Sequence, residues 1–488
     1  MNSNLATILP ELTLAGGGMA LLVLPFLRSS RLLGLLTLML LVAAFDAGLL
    51  QSFQPSAAPL LSFSGMLIQD RFAQFWGAAI LAASALTLLS LMGYAREKVR
   101  SRREIYSLLL FATAGLLLMV RSRHLVLLYL SLELVSVLSY LLVGFQKRDG
   151  LAIEGALKYF LFGALSTGAM LYGITLVYGL TGRMDLGGLA ELSKTAVSAP
   201  ALTVAAVLLL SAGLAFKLAL VPFHMWAPDA YEGAATPVAS FISLGPKLAA
   251  FAVLARLFLL GIPPSAAGWP VLFGALAVVS MTVGNLAALG QTNVKRMLAY
   301  SSIAHAGTMA IGIAVATPFG LAAVMYYGLA YLLMNAAAFA GVIAVGNSAG
   351  REDVGAFAGL SRREPVMAFM ITVAFLSLAG IPPLAGFFGK MWIFGSALQA
   401  GAVGLAVIGA VNSVISLFYY VRVIKAMYIE PAATPERLPR SRSLRLALSL
   451  CAAGLFLLGL WQGPWLQWAA HALPMQTSAA DLPWQVGL

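Results

Sequence analysis

Apolar runs long enough to cross a bilayer recur along the whole chain and leave room for little else. A spanning helix needs ~20 mostly apolar residues, and 201–221 (ALTVAAVLLLSAGLAFKLALV) and 32–50 (LLGLLTLMLLVAAFDAGLL) each supply one. Only 10% of the 488 residues are charged, against about a quarter in soluble domains, so water is not the solvent of this chain. Fourteen spans are read near 5–26, 32–50, 73–94, 105–120, 123–144, 156–180, 201–224, 236–260, 270–289, 297–316, 319–346, 365–398, 402–428 and 444–462. The expected fold class is therefore an all-α polytopic membrane protein, with no soluble domain and no heptad repeat. The start, MNSNLATILPELTLAGGG, has neither a basic region nor a small-residue cleavage site before its first apolar run, so that run is expected to stay in the protein.

The net charge of +12 sits in short clusters between the spans, which is the pattern of membrane topology and not of a nucleic-acid-binding face. RSSR (28–31), REKVRSRR (96–103), QKRDG (146–150), NVKR (293–296), REDVGAFAGLSRRE (351–364) and the segment 429–445 all fall on one side of the bilayer. The other side keeps only Arg71, Arg121, Arg123, Arg183 and Lys194. The positive-inside rule then places both termini on the outer face, with RSR at 121–123 as the one awkward loop.

Cofactor chemistry finds no foothold. Cys451 is the only cysteine, which excludes an internal disulfide and cysteine-ligated iron–sulfur centres within the chain. His124, His224, His305 and His471 show no metal-ligand or haem spacing, and no glycine-rich loop follows a strand pattern as nucleotide binding requires.

Four charges interrupt long apolar flanks: Glu133 in LVLLYLSLELVSVLSYLLV, Lys217 in LLLSAGLAFKLALVPF, Lys247 in FISLGPKLAAFAVLA and Lys390 in PPLAGFFGKMWIFG. A charge at a helix centre costs roughly 2.5–3.5 kcal/mol, so those that persist face protein or water and mark pathways. One acid cannot neutralise three lysines as plain structural ion pairs. Two of the lysines also adjoin helix breakers. Pro222 frees the carbonyl of Leu218, next to Lys217, and Gly380, Pro382, Pro383, Gly386 and Gly389 crowd ahead of Lys390. Interrupted helices expose carbonyls that solvate charge at mid-membrane depth.

Breaks in two halves suggest an internal repeat. AGLAFKLALVPFHMW (212–226) set against AGIPPLAGFFGKMW (379–392) shares AG and MW and places His224, not Lys217, opposite Lys390. Removal from water favours the neutral form of a lysine and a nearby carboxylate favours the charged form, so a Glu–Lys pair of variable separation works as a proton valve. Lys247 and Lys390 are read as the next stations. His305, in YSSIAHAG, reads either as a relay or as a hydrogen-bonded packing group. His224 reads as a helix-end or interface group, and Lys158 and Arg256 as side chains snorkelling to the boundary.

These residues resemble the antiporter-like membrane subunits of respiratory complex I, relatives of the multi-subunit cation/proton antiporters. LVPFHMWAPDAYEGAATPVASFISLGPKLAAF (220–251) looks like the signature of the N-type (subunit 2) branch. NVKRMLAYSSIAHAG (293–307) and LAGIPPLAGFFGKMWIF (378–394) are similar to its other blocks. The resemblance implies two inverted five-helix repeats, spans four to eight and nine to thirteen, with spans seven and twelve broken. On that scheme 1–104 holds three peripheral helices, 105–260 the first repeat, 270–428 the second, and 444–488 the last helix and tail. It implies that Glu133 and Lys217 form an input pair, Lys247 a central relay and Lys390 an output site for protons. NADH, FMN, iron–sulfur clusters and quinone belong, on the same reading, to partner subunits. The expected partners are neighbouring membrane subunits and the lipid of a bacterial inner membrane, with no nucleic acid. The competing readings are a subunit of a cation/proton antiporter and a solute permease. A sodium site wants clustered oxygen ligands, and a permease wants a roomy polar cavity, of which the sequence offers little.

Overall fold

Helices form wherever the apolar runs lie, because inside a bilayer each backbone N–H and C=O must be satisfied within its own segment. The computed structural model describes residues 3–23, 29–52, 60–94, 102–265, 267–432 and 441–473. Among the described residues, twelve helices are long and apolar enough to cross a membrane. The shorter Leu9–Val23 adds one, and Pro365–Ala379 with Ala385–Gln399 forms one more in two pieces, which gives fourteen spans. The chain is thus an all-α multi-pass membrane protein.

The ends of the spans are set by local chemistry that hydrophobicity does not report. Span six starts at Gly150, not 156, because the Asp149 carboxylate caps it by accepting from Leu151 N at 3.0 Å. It closes at Gly182 in the left-handed region, with φ 69°. Some elements are not apolar runs. A hairpin pairs Leu60–Ser62 with Leu67–Gln69 in the register Leu61 opposite Ile68. Leu186–Ser198 is an amphipathic helix between spans six and seven. Gln462–His471 extends the chain past span fourteen.

Loops of alternate parity meet on opposite faces, as the span order demands. On one face Arg123 N donates to Met66 O at 2.9 Å and Leu125 N to Met184 O at 2.7 Å. On the other, Val294 N donates to Glu352 O at 2.9 Å, Asn347 Nδ2 to Gly93 O at 2.9 Å, and Arg445 pairs with Glu364 at 2.9 Å. Parts of the basic loops at 28–31, 96–103 and 429–445, and the tail beyond 473, lie outside the described residues. The awkward RSR loop has a structural explanation. Arg121 is buried and donates to Glu11 Oε1 and to Thr7 O, both at 2.6 Å, so its charge is spent inside the protein.

At the centre of the molecule stand spans eight (Thr236–Leu259), ten (Val294–Ala314) and eleven (Pro318–Ala349), almost wholly buried. A helix apolar all round belongs in such a position, surrounded by other helices instead of lipid. Polar side chains placed there see protein only.

Candidate functional site

Both breaks are built the same way. Pro200–Leu218 ends at Ala219, whose φ of 56° is left-handed, and Leu220 N donates to Ala215 O at 2.8 Å. Pro365–Ala379 ends at Gly380, φ 88°, and Ile381 N donates to Leu376 O at 3.0 Å. This is the Schellman closure, in which the chain turns back on its last carbonyls. Three residues on, the Val221–Pro222 and Pro382–Pro383 peptide bonds are both cis, and helix resumes at Trp226 and Ala385. Matching Ala219 to Gly380 puts Lys390 opposite Asp229, each ten residues further on. The pairing of His224 with Lys390 suggested by the shared MW is thereby corrected. His224 lies in the turn between the two helical pieces of span seven, with its Nδ1 free of hydrogen bonds.

The four charges occupy different surroundings. Lys217 is 2% exposed and its Nζ has no hydrogen-bond partner; the Tyr159 ring lies beneath it, 5.6 Å to the centroid. Such a cation over an aromatic face is held by the ring quadrupole without losing its donors. Glu133 stands half-buried on span five, and its buried Oε1 is likewise unpartnered. Carboxylate and ammonium are therefore not locked to each other. Lys247 is fully buried after Pro246 in span eight, and its Nζ donates to Ser302 O at 2.7 Å and Ser302 Oγ at 2.9 Å. Lys390 reaches back across the break to Leu378 O at 3.1 Å and Ala379 O at 3.0 Å. The interruption thus supplies carbonyls for its ammonium. The half-helices approach closely only because Gly386 lacks a side chain: a Cβ there would enter the Ser377 carbonyl.

Span ten links the two lysines. Ser302, which holds Lys247, and His305 are one turn apart and share a face. His305 Nδ1 lies 2.7 Å from Tyr327 OH and Nε2 3.0 Å from Tyr420 OH, and Tyr420 OH meets Ser301 Oγ at 2.5 Å. Neutral imidazole has one donor and one acceptor nitrogen, and two rotatable hydroxyls accommodate either tautomer. Beyond His305 lies a small cavity whose walls include His305, Lys390, Asn285, Asn412, Ser416 and Tyr419. Asn285 Nδ2 donates to Asn412 Oδ1 at 3.1 Å, and Tyr419 OH donates to Asn285 Oδ1 at 3.0 Å. A polar space of this kind suits water, which needs two to four polar partners.

Sequence reasoning missed the tyrosines and asparagines of this network. Their signal was present: Asn285 and Asn412 are isolated amides in apolar runs, where an unpaired polar group is expensive. It also misjudged one cation. Arg256 does not snorkel; it is 2% exposed and grips Asp70 with both Nη atoms at 2.9 and 3.0 Å. Lys158 keeps 39% of its side chain exposed and lies 2.6 Å from both Glu154 and Asp229. Asp229 also accepts from Arg296 at 2.6 Å, so one carboxylate ties span six to span ten.

Comparison with known proteins identifies the family. Residues 122–416, more than half of the chain, match the family described as NADH:quinone oxidoreductase/Mrp antiporter, TM. NADH-quinone oxidoreductase subunit N 2 of Sorangium cellulosum is 42% identical over 97% of this chain and 98% of its own. A chain of respiratory complex I from Thermus thermophilus superposes with a TM-score of 0.78 at 37% identity, covering 94% of this chain and 99% of that one. A chain of the Mrp complex from Dietzia sp. has a TM-score of 0.81 at 21% identity over 97% of each chain, a likeness of fold alone.

Proposed function

The chain belongs to the NADH:quinone oxidoreductase/Mrp antiporter membrane family, and on that premise we propose that it is the N-type, proton-translocating membrane subunit of a NADH:quinone oxidoreductase. It performs no redox step itself. NADH, FMN, iron–sulfur clusters and quinone are handled by partner subunits, and this chain moves protons when electron transfer there changes the charge near Glu133. The assembly lies in a bacterial inner membrane, with both termini of this chain on the outer face. The units 105–260 and 270–428 act as the two inverted repeats, with 1–104 and 444–488 outside them.

One observation carries the reading: the buried lysines of the two halves converge on a single helix. Lys247 donates to Ser302, one turn from His305, and His305 shares its cavity with Lys390. Lys217 receives its proton while Glu133 is charged and near, and releases it when that influence is withdrawn. The proton passes to Lys247, whose Nζ meets Ser302, and then one turn along span ten to the His305 imidazole held between Tyr327 and Tyr420. Water in the cavity delivers it to Lys390. Lys217 suits the role of a gated donor because none of its N–H bonds is committed to a protein acceptor.

The test is proton uptake by inverted membrane vesicles during NADH oxidation. Lys217→Ala and Glu133→Ala should each lower protons moved per NADH severalfold while the complex assembles and reduces artificial acceptors normally. Unchanged stoichiometry in both variants would overturn the relay. Purification in mild detergent separates the antiporter alternative, since flavin and iron–sulfur absorbance should accompany this chain.

A further inference from the structure

Lys217 sits among three aromatic rings drawn from span six and from both pieces of the broken span seven. Phe216 precedes it on the first piece, Trp226 opens the second piece (Trp226–Gly233), and Tyr159 belongs to span six. Tyr159 and Trp226 stack face to face, with 3.9 Å between centroids and 6° between planes. Phe216 tilts against them at 5.7 and 5.4 Å, and Trp226 Nε1 donates to Phe216 O at 3.3 Å. The second piece is seated closely on span six. A Cβ at Gly155 would meet Asp229 O at 2.8 Å, a Cβ at Gly233 would enter the Leu151 carbonyl, and Lys158 pairs with Asp229 at 2.6 Å. Tyr159 and Trp226 are each 1% exposed, so the tyrosine ring keeps one place and one tilt.

That ring lies beneath the Lys217 ammonium, 5.6 Å from centroid to Nζ, and no protein acceptor bonds to the Nζ. The ring quadrupole attracts the ammonium and gains nothing from the neutral amine, so it favours the protonated form. A carboxylate bond in its place would hold the ammonium more tightly and commit its N–H bonds. We propose that Tyr159 and Trp226 are positioning residues for proton transfer at Lys217: the Tyr159 face supports the ammonium, and Trp226 fixes that face by stacking on it. Because Trp226 opens the second piece, the break in span seven becomes part of the Lys217 site, as the break in span twelve is part of the Lys390 site. On the relay reading above, on which this rests, these two side chains hold the first lysine of the path in place.

The test uses the whole complex in inverted membrane vesicles and reads the initial rate of proton uptake during NADH oxidation. Tyr159→Leu should lower that rate roughly tenfold, equivalent to 1.4 kcal/mol and within the range of a desolvated cation–π contact. Tyr159→Phe keeps the ring and should restore uptake. Trp226→Leu should lower uptake as Tyr159→Leu does, and Trp226→Phe, which keeps a stacking face and loses the Nε1 bond, should recover most of it. Phenylalanines carrying one, two and three ring fluorines, placed at position 159 by nonsense suppression, preserve shape while draining charge from the face. Uptake should fall step by step along that series, which a ring that only fills space would not produce. A flat series, or parent rates in Tyr159→Leu, overturns the role of the ring, and parent rates in Trp226→Leu overturn that of the indole. Lys217→Ala separates the two levels: if it slows uptake while the fluorinated series stays flat, the positioning role fails and the relay stands; if it pumps normally, the relay itself fails.

Discussion

Lys390, in the second piece of a broken helix, donates to the carbonyl of Ala379, the last residue of the first piece, at 3.0 Å. The helix break thus makes the binding site of the charge that follows it. Carbonyls at a helix end carry partial negative charge and no internal partner, so they stabilise an ammonium where the bilayer would reject one. A group held in this way can still release its proton if it is an amine.

Guanidinium does not. Lys390→Arg keeps the charge and the donors but removes the exchangeable proton, and the expected result is intact assembly with slow transfer. The initial rate of NADH-driven proton uptake should fall roughly 10²-fold, the lower end of what a positioned proton donor contributes. Uptake at the normal rate would take Lys390 off the path.

The Asn285–Asn412 pair separates packing from transport. Asn412→Leu takes from Asn285 Nδ2 its side-chain acceptor but keeps the Asn412 carbonyl, to which it also donates at 3.1 Å, and should destabilise the contact between spans nine and thirteen by ~1 kcal/mol. Replacing both asparagines by leucine removes both amides but takes from the buried Tyr419 hydroxyl the Asn285 Oδ1 it donates to, so thermal stability in detergent should return only in part. Proton pumping should not return, because the cavity beside Lys390 then loses two of its polar walls. Recovery of both together would reduce the pair to a structural contact.

Much of this architecture is legible in the order of residues, for physical reasons that differ by feature. Spans show because the bilayer imposes length and apolarity, and breaks show because Pro222, Pro382 and Pro383 cannot continue a helix. The four intramembrane charges stand out because each violates its surroundings. Partners do not show. That Arg256 meets Asp70 across 186 residues, or that Tyr420 meets His305 across 115, depends on which helices pack together, and helix faces in an apolar protein carry almost no periodic signal. The hairpin at 60–69 and the helix Leu186–Ser198 stayed hidden because neither is an apolar run.

Outside the membrane, Asp185 titrates with a structural consequence. Its carboxylate caps Leu186–Ser198 by accepting from Gly188 N at 3.0 Å, and Arg183 beside it holds its pKa below the usual 3.8. A depressed carboxylate contributes stability that is complete above its unfolded pKa and lost as pH falls through the folded value. Protection of the amides in the first turn of this helix should therefore be constant above about pH 5 and decline only below about pH 4. Asp185→Ala should speed exchange there at neutral pH, in line with the ~1 kcal/mol of a lost cap, and should remove the acid dependence. Hydrogen exchange read by mass spectrometry, corrected for intrinsic rates, measures both.

The Asp70–Arg256 pair joins spans three and eight and is expected to matter most for stability. The guanidinium makes two hydrogen bonds to the carboxylate and lies over the Phe72 ring, 5.0 Å to its centroid. Asp70 in turn caps span three by accepting from Ala73 N at 2.7 Å. Both side chains are almost fully enclosed, at 10% and 3% exposure, so removing one strands the other. Asp70→Ala leaves an unpaired buried guanidinium and an uncapped helix, a cost of ~3–5 kcal/mol. Asp70→Asn keeps the cap and one acceptor and should cost about half as much, since a neutral amide gives a weaker bond than a carboxylate. Thermal unfolding of the purified complex, followed by loss of this chain from the assembly, should rank parent above Asn above Ala. If all three lose the chain at the same temperature, the pair contributes nothing to holding span three against the core.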